Sequence, residues 1–241
     1  MRYLISRNEE LKEILVADLV LSIAFDLAFN NGMFSFNIFL FLYFLPIFII
    51  STTLTFVLHE LMHREVAQRF FGAIAAFRYS EQGLVFTFLS SLFGFFIGLP
   101  GATVIYDYLN KREEGIVSLA GPLTNFIIFF VFFAIGISFY PNFINNITTS
   151  FSNPFKLDYI QNMINITLYI SLILAFFNML PIYPLDGSKI FRWNKFVYLS
   201  FLVFLFLNMS YIIGLGLTIA YLIIMLFFAL FSSILARAIL I

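Results

Sequence analysis

The chain lacks cysteine altogether and holds only two histidines and one tryptophan in 241 residues. Without cysteine there are no disulfides and no thiolate metal ligands, and the redox compartment stays open. Charge is scarce too. Asp, Glu, Lys and Arg make up 11% of the residues, against roughly 25% in a soluble domain. Apolar residues make up 62%, so this is a membrane chain. Acids and bases balance at 13 each, which removes any electrostatic argument for a nucleic-acid partner. The N-terminus is not expected to act as a cleavable leader. The N-terminal stretch MRYLISRNEELKEILVADLV mixes acids and bases, Asp18 and Asp26 interrupt the apolar run, and no small-residue cleavage site follows; we read a retained first helix. No repeat, low-complexity linker or appended soluble domain is visible, so residues 1–241 are expected to form one integral membrane domain.

One crossing takes about 20 mostly apolar residues. The candidates are 14–34, 37–62, 115–139, 163–182, 196–213 and 215–236. The expected fold class is therefore a polytopic α-helical membrane protein of about six transmembrane helices. With that count, twelve of the 13 basic residues fall on one side: Arg2, Arg7, Lys12, Arg64, Arg69, Arg78, Lys111, Arg112, Lys189, Arg192, Lys195 and Arg237. Lys156 alone lies opposite. Cytoplasmic loops carry the Lys/Arg excess, so both termini are expected in the cytoplasm. The outer loop 140–162 is Asn-rich and is expected to be ordered only in part. A seventh apolar run, 84–105, does not fit this count.

Both histidines sit in one short stretch, VLHELMH (57–63), at the end of the second apolar run. Residues four apart share a helix face, so His59 and His63 can present two nitrogens to one metal ion. Glu60 can reach a water on that ion. This is the H-E-x-x-H spacing of zinc metallopeptidases, with the Glu as general base. The competing account is a chance pattern; a carboxylate in a membrane helix costs about 2.5–3.5 kcal/mol near the centre, which argues for a functional partner. A catalytic zinc takes three protein ligands and a water. With no third histidine, the last ligand must be a carboxylate, and Asp18, Asp26, Glu65, Glu81, Asp107, Glu113, Glu114, Asp158 and Asp186 are the acids in play, with Glu9, Glu10 and Glu13 at the far N-terminus. Asp158 lies on the outer side, and Glu113 and Glu114 belong to a charged KREE cluster that reads as a solvated loop. Asp186 follows the fourth apolar helix in FNMLPIYPLDG (177–187), where Pro181 and Pro184 end or unwind the helix. Unwound backbone at membrane depth is tolerated when it lines a cavity, which suits a ligand; a simple helix-stopping turn explains Asp186 and Gly187 equally well.

Three segments together resemble a known family. HELMH on the second helix, AGPLTN (120–125) opening the third, and NMLPIYPLDG (178–187) ending the fourth resemble the site-2 protease family of intramembrane zinc metalloproteases, in the family's order over about 60–187. The resemblance implies that His59, His63 and Asp186 are the ligands of one Zn2+ per chain and Glu60 the catalytic base. It implies that Asn178 and Pro181, the family's Asn-x-x-Pro before the ligand Asp, contribute to substrate binding. Asn125 matches the Asn of G-P-x-x-N and is placed with them, a helix-packing role being the alternative. The implied core is about 37–187, with 14–34, 196–213 and 215–236 as accessory helices. No PDZ-like insert or nucleotide-sensing domain is visible, which implies a minimal form in the cell membrane of a prokaryote, acting on transmembrane protein substrates within the lipid bilayer.

If 84–105 crossed fully, Asp186 would emerge opposite His59 and His63. That run is therefore expected to dip in and return, or to lie along the membrane face. Residues 76–88 (AFRYSEQGLVFTF) read as two short strands about a Ser-Glu-Gln-Gly turn, making a membrane-associated hairpin whose edge can pair with an unwound substrate. Asp18 and Asp26, eight apart on one face of the first helix, are expected either to line a polar path or to pair with other helices. The competing functions are a catalytically silent homologue that binds membrane partners and a metal transporter. Intact Glu60 disfavours the first. The second needs polar groups spread along a pathway rather than clustered at one depth. Substrate identity, cleavage position and oligomeric state are not legible.

Overall fold

The computed structural model describes residues 6–96, 98–152 and 154–239; Arg2, counted above among the basic residues, lies outside them. Helix α1 (Arg7–Phe29) opens with a capping box in which Ser6 Oγ accepts from Glu9 N–H and Glu9 accepts from Ser6 N–H. It begins earlier than the expected 14–34 and stops at Asn30, before a short 3-10 turn at Gly32–Phe34. Helices α2 (Ile38–Thr52) and α3 (Leu58–Phe71) are joined by a π-helical stretch, Thr53–Val57, into one continuous run. That run passes the expected end at 62 by nine residues.

The polar residues of STTLT, at the end of α2 and the start of the π-helical stretch, tie this run to its neighbours. Thr53 Oγ1 donates to Asp18 at 2.6 Å, the Thr52 and Ser22 hydroxyls meet at 2.6 Å, and those of Ser51 and Thr167 at 2.8 Å. The turn before His59 is thus tied to α1 and to α8 (Tyr159–Asn178). π-Bulges of this kind cluster at functional sites because the extra residue re-aims the turn that follows.

The expected hairpin inside 76–88 is corrected. Strand β1 (Ala75–Tyr79) is followed by helix α4 (Glu81–Leu92), and its partner is β2 (Gly101–Ile105). Ser80 is the reason. Its hydroxyl accepts from Gly83 N–H at 3.1 Å, and Glu81 stands in the first turn; Ser-Glu-Gln-Gly is a helix start rather than a turn. The strands pair antiparallel from Ala75↔Ile105 to Tyr79↔Gly101. Because Tyr79 and Gly101 are paired, residues 80–100 return to the point they left, and that excursion is not a full crossing.

Helix α5 (Lys111–Phe139) packs against α3, α8 and α9 (Asp186–Trp193). Its start corrects the solvated-loop reading of KREE. Asn110 caps the helix with Glu113 in a second capping box, and Glu114 pairs with Arg192 of α9 at 3.2 Å. The 140–162 loop holds two short helices, α6 (Phe143–Asn146) and α7 (Thr149–Ser152), with Phe143 and Ile147 buried beneath it. Helix α8 ends at Asn178, four residues before the expected 182, and Pro181 and Pro184 lie in the turn to α9. Helices α10 (Lys195–Ile213) and α11 (Leu215–Ile239) complete the chain.

Among the described residues, four helical runs are long and apolar enough to cross a membrane: Ile38–Phe71, Lys111–Phe139, Tyr159–Asn178 and Lys195–Ile213. The expected six are therefore met in part. Helix α1 has the length, but Lys12, Glu13, Asp18 and Asp26 break its apolar run. In α11 the described apolar stretch is the shorter Leu215–Ile224.

Candidate metal centre

Helix α3 places His59, Glu60 and His63 on its buried side. His63 Nδ1 lies 2.7 Å from the Val117 carbonyl of α5. A carbonyl only accepts, so Nδ1 carries the proton and the lone pair is on Nε2. The two Nε2 atoms are 3.0 Å apart. Asp186 comes to the same point from the other end of the core. The chain leaves α8, turns through exposed Pro181 and Pro184, and begins α9 with Asp186. Gly187 permits this close approach, because a Cβ there would fall on the carbonyls of Met179 and Leu180. Asp186 Oδ2 then stands 3.4 Å from His59 Nε2 and 3.2 Å from His63 Nε2.

The donor set fits a tetrahedral ion. Donors about 2.0–2.1 Å from zinc stand about 3.3 Å from each other, and the observed separations of 3.0, 3.2 and 3.4 Å straddle that value. Among the described residues, His59, His63 and Asp186 form the cluster that can hold a metal, and all three are buried. Gly121 of α5 keeps the space open, since a Cβ at that position would run into both imidazole Nε2 atoms.

The neighbouring groups are ordered around these three. The fully buried Asn125 amide lies 3.1 Å from His59 Nδ1. A His59 that offers Nε2 to a metal carries its proton on Nδ1. That proton suits an amide oxygen, and Asn125 Oδ1 is the buried atom left without a partner as placed. Turning the amide over satisfies both groups, the usual support for a metal-binding histidine. Glu60 Oε2 accepts from Thr103 N–H at 2.8 Å and from Thr103 Oγ1 at 2.9 Å.

The structure therefore gathers His59, His63, Asp186, Glu60 and Asn125. Asn178 is half-buried at the end of α8 and donates to its own helix at Leu174 O, 3.0 Å; Pro181 is exposed. Among the described residues, neither is hydrogen-bonded to the cluster. Asp18 accepts from Thr53 of the neighbouring π-helical stretch, and Asp26 from Asn30 at the end of its own helix. Three contributors had no role at the sequence level: Thr103, Gly121 and the Val117 carbonyl. Gly121 was visible within AGPLTN, whereas Thr103 sits in a strand whose partner was misread.

The model of peptidase family M50 matches residues 47–195. A Methanocaldococcus jannaschii protein, whose name proposes it as a zinc metalloprotease, is 40% identical over 181 residues, 74% of this chain and 82% of that one. No solved structure matches. The matched region contains all three candidate ligands, Glu60 and Asn125, and the chain belongs to peptidase family M50, the site-2 protease family.

Proposed function

We propose that this chain is an intramembrane zinc endopeptidase that cuts peptide bonds within or near transmembrane segments of other proteins. The observation that carries this is the triangle of His59, His63 and Asp186 with Glu60 beside it, buried among helices apolar enough to lie in a bilayer. Those three residues would hold a zinc ion, which would supply a water of lowered pKa and polarise the scissile carbonyl. Glu60 takes the proton from the attacking water and passes it to the leaving amine. Asn125 holds His59 in the tautomer that presents Nε2, and the Val117 carbonyl does the same for His63. Asn178 and Pro181 shape the turn that delivers Asp186, and their place in substrate handling is part of the proposal.

A transmembrane helix hides its own peptide bonds, so the substrate must unwind and its strand needs an edge. The outer edge of β1 is taken: Phe77 N–H donates to Glu10 at 3.0 Å and Tyr79 N–H to Glu13 at 3.1 Å. The outer edge of β2 runs beside Glu60 and already gives its central N–H, that of Thr103, to the Glu60 carboxylate. Pairing is assigned to the rest of 101–105, on either side of Thr103, rather than to 76–88. Helices α1 and α11 complete six spans in this proposal, with both termini and the opening of the site on the cytoplasmic side of a prokaryotic cell membrane.

The test is reconstitution in liposomes with a synthetic transmembrane peptide, labelled at both ends and carrying a central helix-breaking Asn-Gly pair. Cleavage is expected, lost on chelation, restored by zinc and abolished by Glu60→Gln. Cleavage that survives Glu60→Gln overturns the assignment of the base. Ile105→Pro, which perturbs the β2 edge, is expected to lower cleavage while metal content holds; unchanged cleavage removes the edge from the account.

A further inference from the structure

Glu60 has one neighbour that the family's motif residues do not include. Thr103, at the centre of β2, gives two donors to one oxygen. Its N–H reaches Glu60 Oε2 at 2.8 Å and its hydroxyl reaches the same oxygen at 2.9 Å. The hydroxyl also lies 2.9 Å from the Glu60 main-chain carbonyl, so its single proton is shared between that carbonyl and Oε2, while the N–H serves Oε2 alone. In the ladder Thr103 stands opposite Phe77, whose N–H goes to Glu10, so both members of this pair direct their N–H groups away from each other. The Thr103 N–H is therefore not needed to hold the sheet together.

A glutamate side chain has three rotatable bonds, and holding it in one rotamer has an entropic cost that its partners must offset. A general base must stand within hydrogen-bond reach of the proton that it takes, and a displacement of about 1 Å can cost roughly a hundredfold in rate. Two donors on Oε2 fix the carboxylate from the strand side and leave Oε1 for proton transfer. A hydrogen bond to a charged group is stronger than one between neutral groups, so losing it is expected to show in rate.

We infer that Thr103 is the positioning residue for Glu60: β2 sets the angle and depth of the general base through the Thr103 N–H and hydroxyl. This rests on the reading of Glu60 as the base. Strand β2 thereby has a task beyond offering an edge, and the excursion 80–100 is the device that returns the chain to place Thr103 over α3.

Two measurements test it. In the first, the labelled transmembrane peptide in liposomes is cut by wild type, Thr103→Val and Thr103→Ser. Val keeps the shape of the side chain and the N–H but removes the hydroxyl. We expect kcat to fall roughly tenfold to a hundredfold in Thr103→Val, with KM and zinc content unchanged, and Thr103→Ser to restore most of the loss. A wild-type or raised kcat in Thr103→Val overturns the inference, as does a fall that Ser does not rescue. The second measurement needs no substrate: hydrogen–deuterium exchange over 101–105 in wild type and Glu60→Ala. Removing the acceptor should speed exchange at the Thr103 amide about tenfold or more; unchanged exchange means that the N–H bond to Glu60 is absent in solution. If Glu60→Gln still cleaves, the base assignment fails. If Glu60→Gln is inactive while Thr103→Val is fully active, only the role of Thr103 fails.

Discussion

Two kinds of helix seam hold the molecule together. On one side, the α2–α3 run meets α1, α8 and α5 through short polar contacts: Thr53 to Asp18, Ser22 to Thr52, Ser51 to Thr167 and Asn125 to His59. On the other side, α5 meets α10 through phenylalanine. Phe126 meets Phe201 and Phe204 edge-on with ring centroids 5.5 and 4.9 Å apart. Inside a bilayer there is no water for apolar surface to escape, so apolar packing fills space without dictating one register, whereas a hydrogen bond demands one. The polar side is the one that carries His59, Glu60 and His63. The lesson is that the hydroxyls of STTLT and the Asn125 amide act as registration points for the site, and the aromatic seam acts as filler.

The sharpest way to break this contrast is at Asn125. Asn125→Ala removes the partner of His59 Nδ1 and should weaken zinc binding roughly tenfold to a hundredfold, read by competition with a fluorescent chelator. Unchanged affinity would move Asn125 to the packing role. A smaller effect is expected one layer out. Ser51→Ala removes the contact to Thr167, worth about 0.6 kcal/mol in a membrane helix bundle, and should lower stability by that order in detergent unfolding with a slight loss of zinc affinity. Phe204→Leu, on the other side, should alter stability by a similar amount and leave zinc affinity as it was. Equal effects of the two on zinc affinity would dissolve the distinction between registration and filler.

Much of the site was legible because membrane chains are so sparing with polar groups. Two histidines in the whole chain, four apart with a glutamate between them, leave little freedom; Asp186, after Pro181 and Pro184, suited a simple turn equally well, and only the family resemblance pointed to it as a ligand. The long helices were equally plain from hydropathy, with ends off by a few residues where caps decide. The misreadings share a cause: side-chain capping. Ser80 looked like part of a turn and is a helix cap. Asn110 turned a charged loop into the first turn of α5. Capping depends on a single side-chain oxygen meeting a free N–H, and neither hydropathy nor periodicity reports it. Once Ser80 was misread, the true partner of β1 twenty-odd residues on was out of view, and Thr103 with it. Gly121 was visible in a motif, but its reason, the room it leaves beside two imidazoles, exists only after α3 and α5 are packed.

The measurement that bears most directly on the central claim is the zinc content of purified wild type and Asp186→Ala by elemental analysis, with Glu60→Gln alongside. The account predicts one zinc per chain in wild type and in Glu60→Gln, and little or none in Asp186→Ala, because two histidines alone do not make the three-ligand site. Full zinc in Asp186→Ala would contradict it, since the triangle of His59, His63 and Asp186 would then not be what holds the metal.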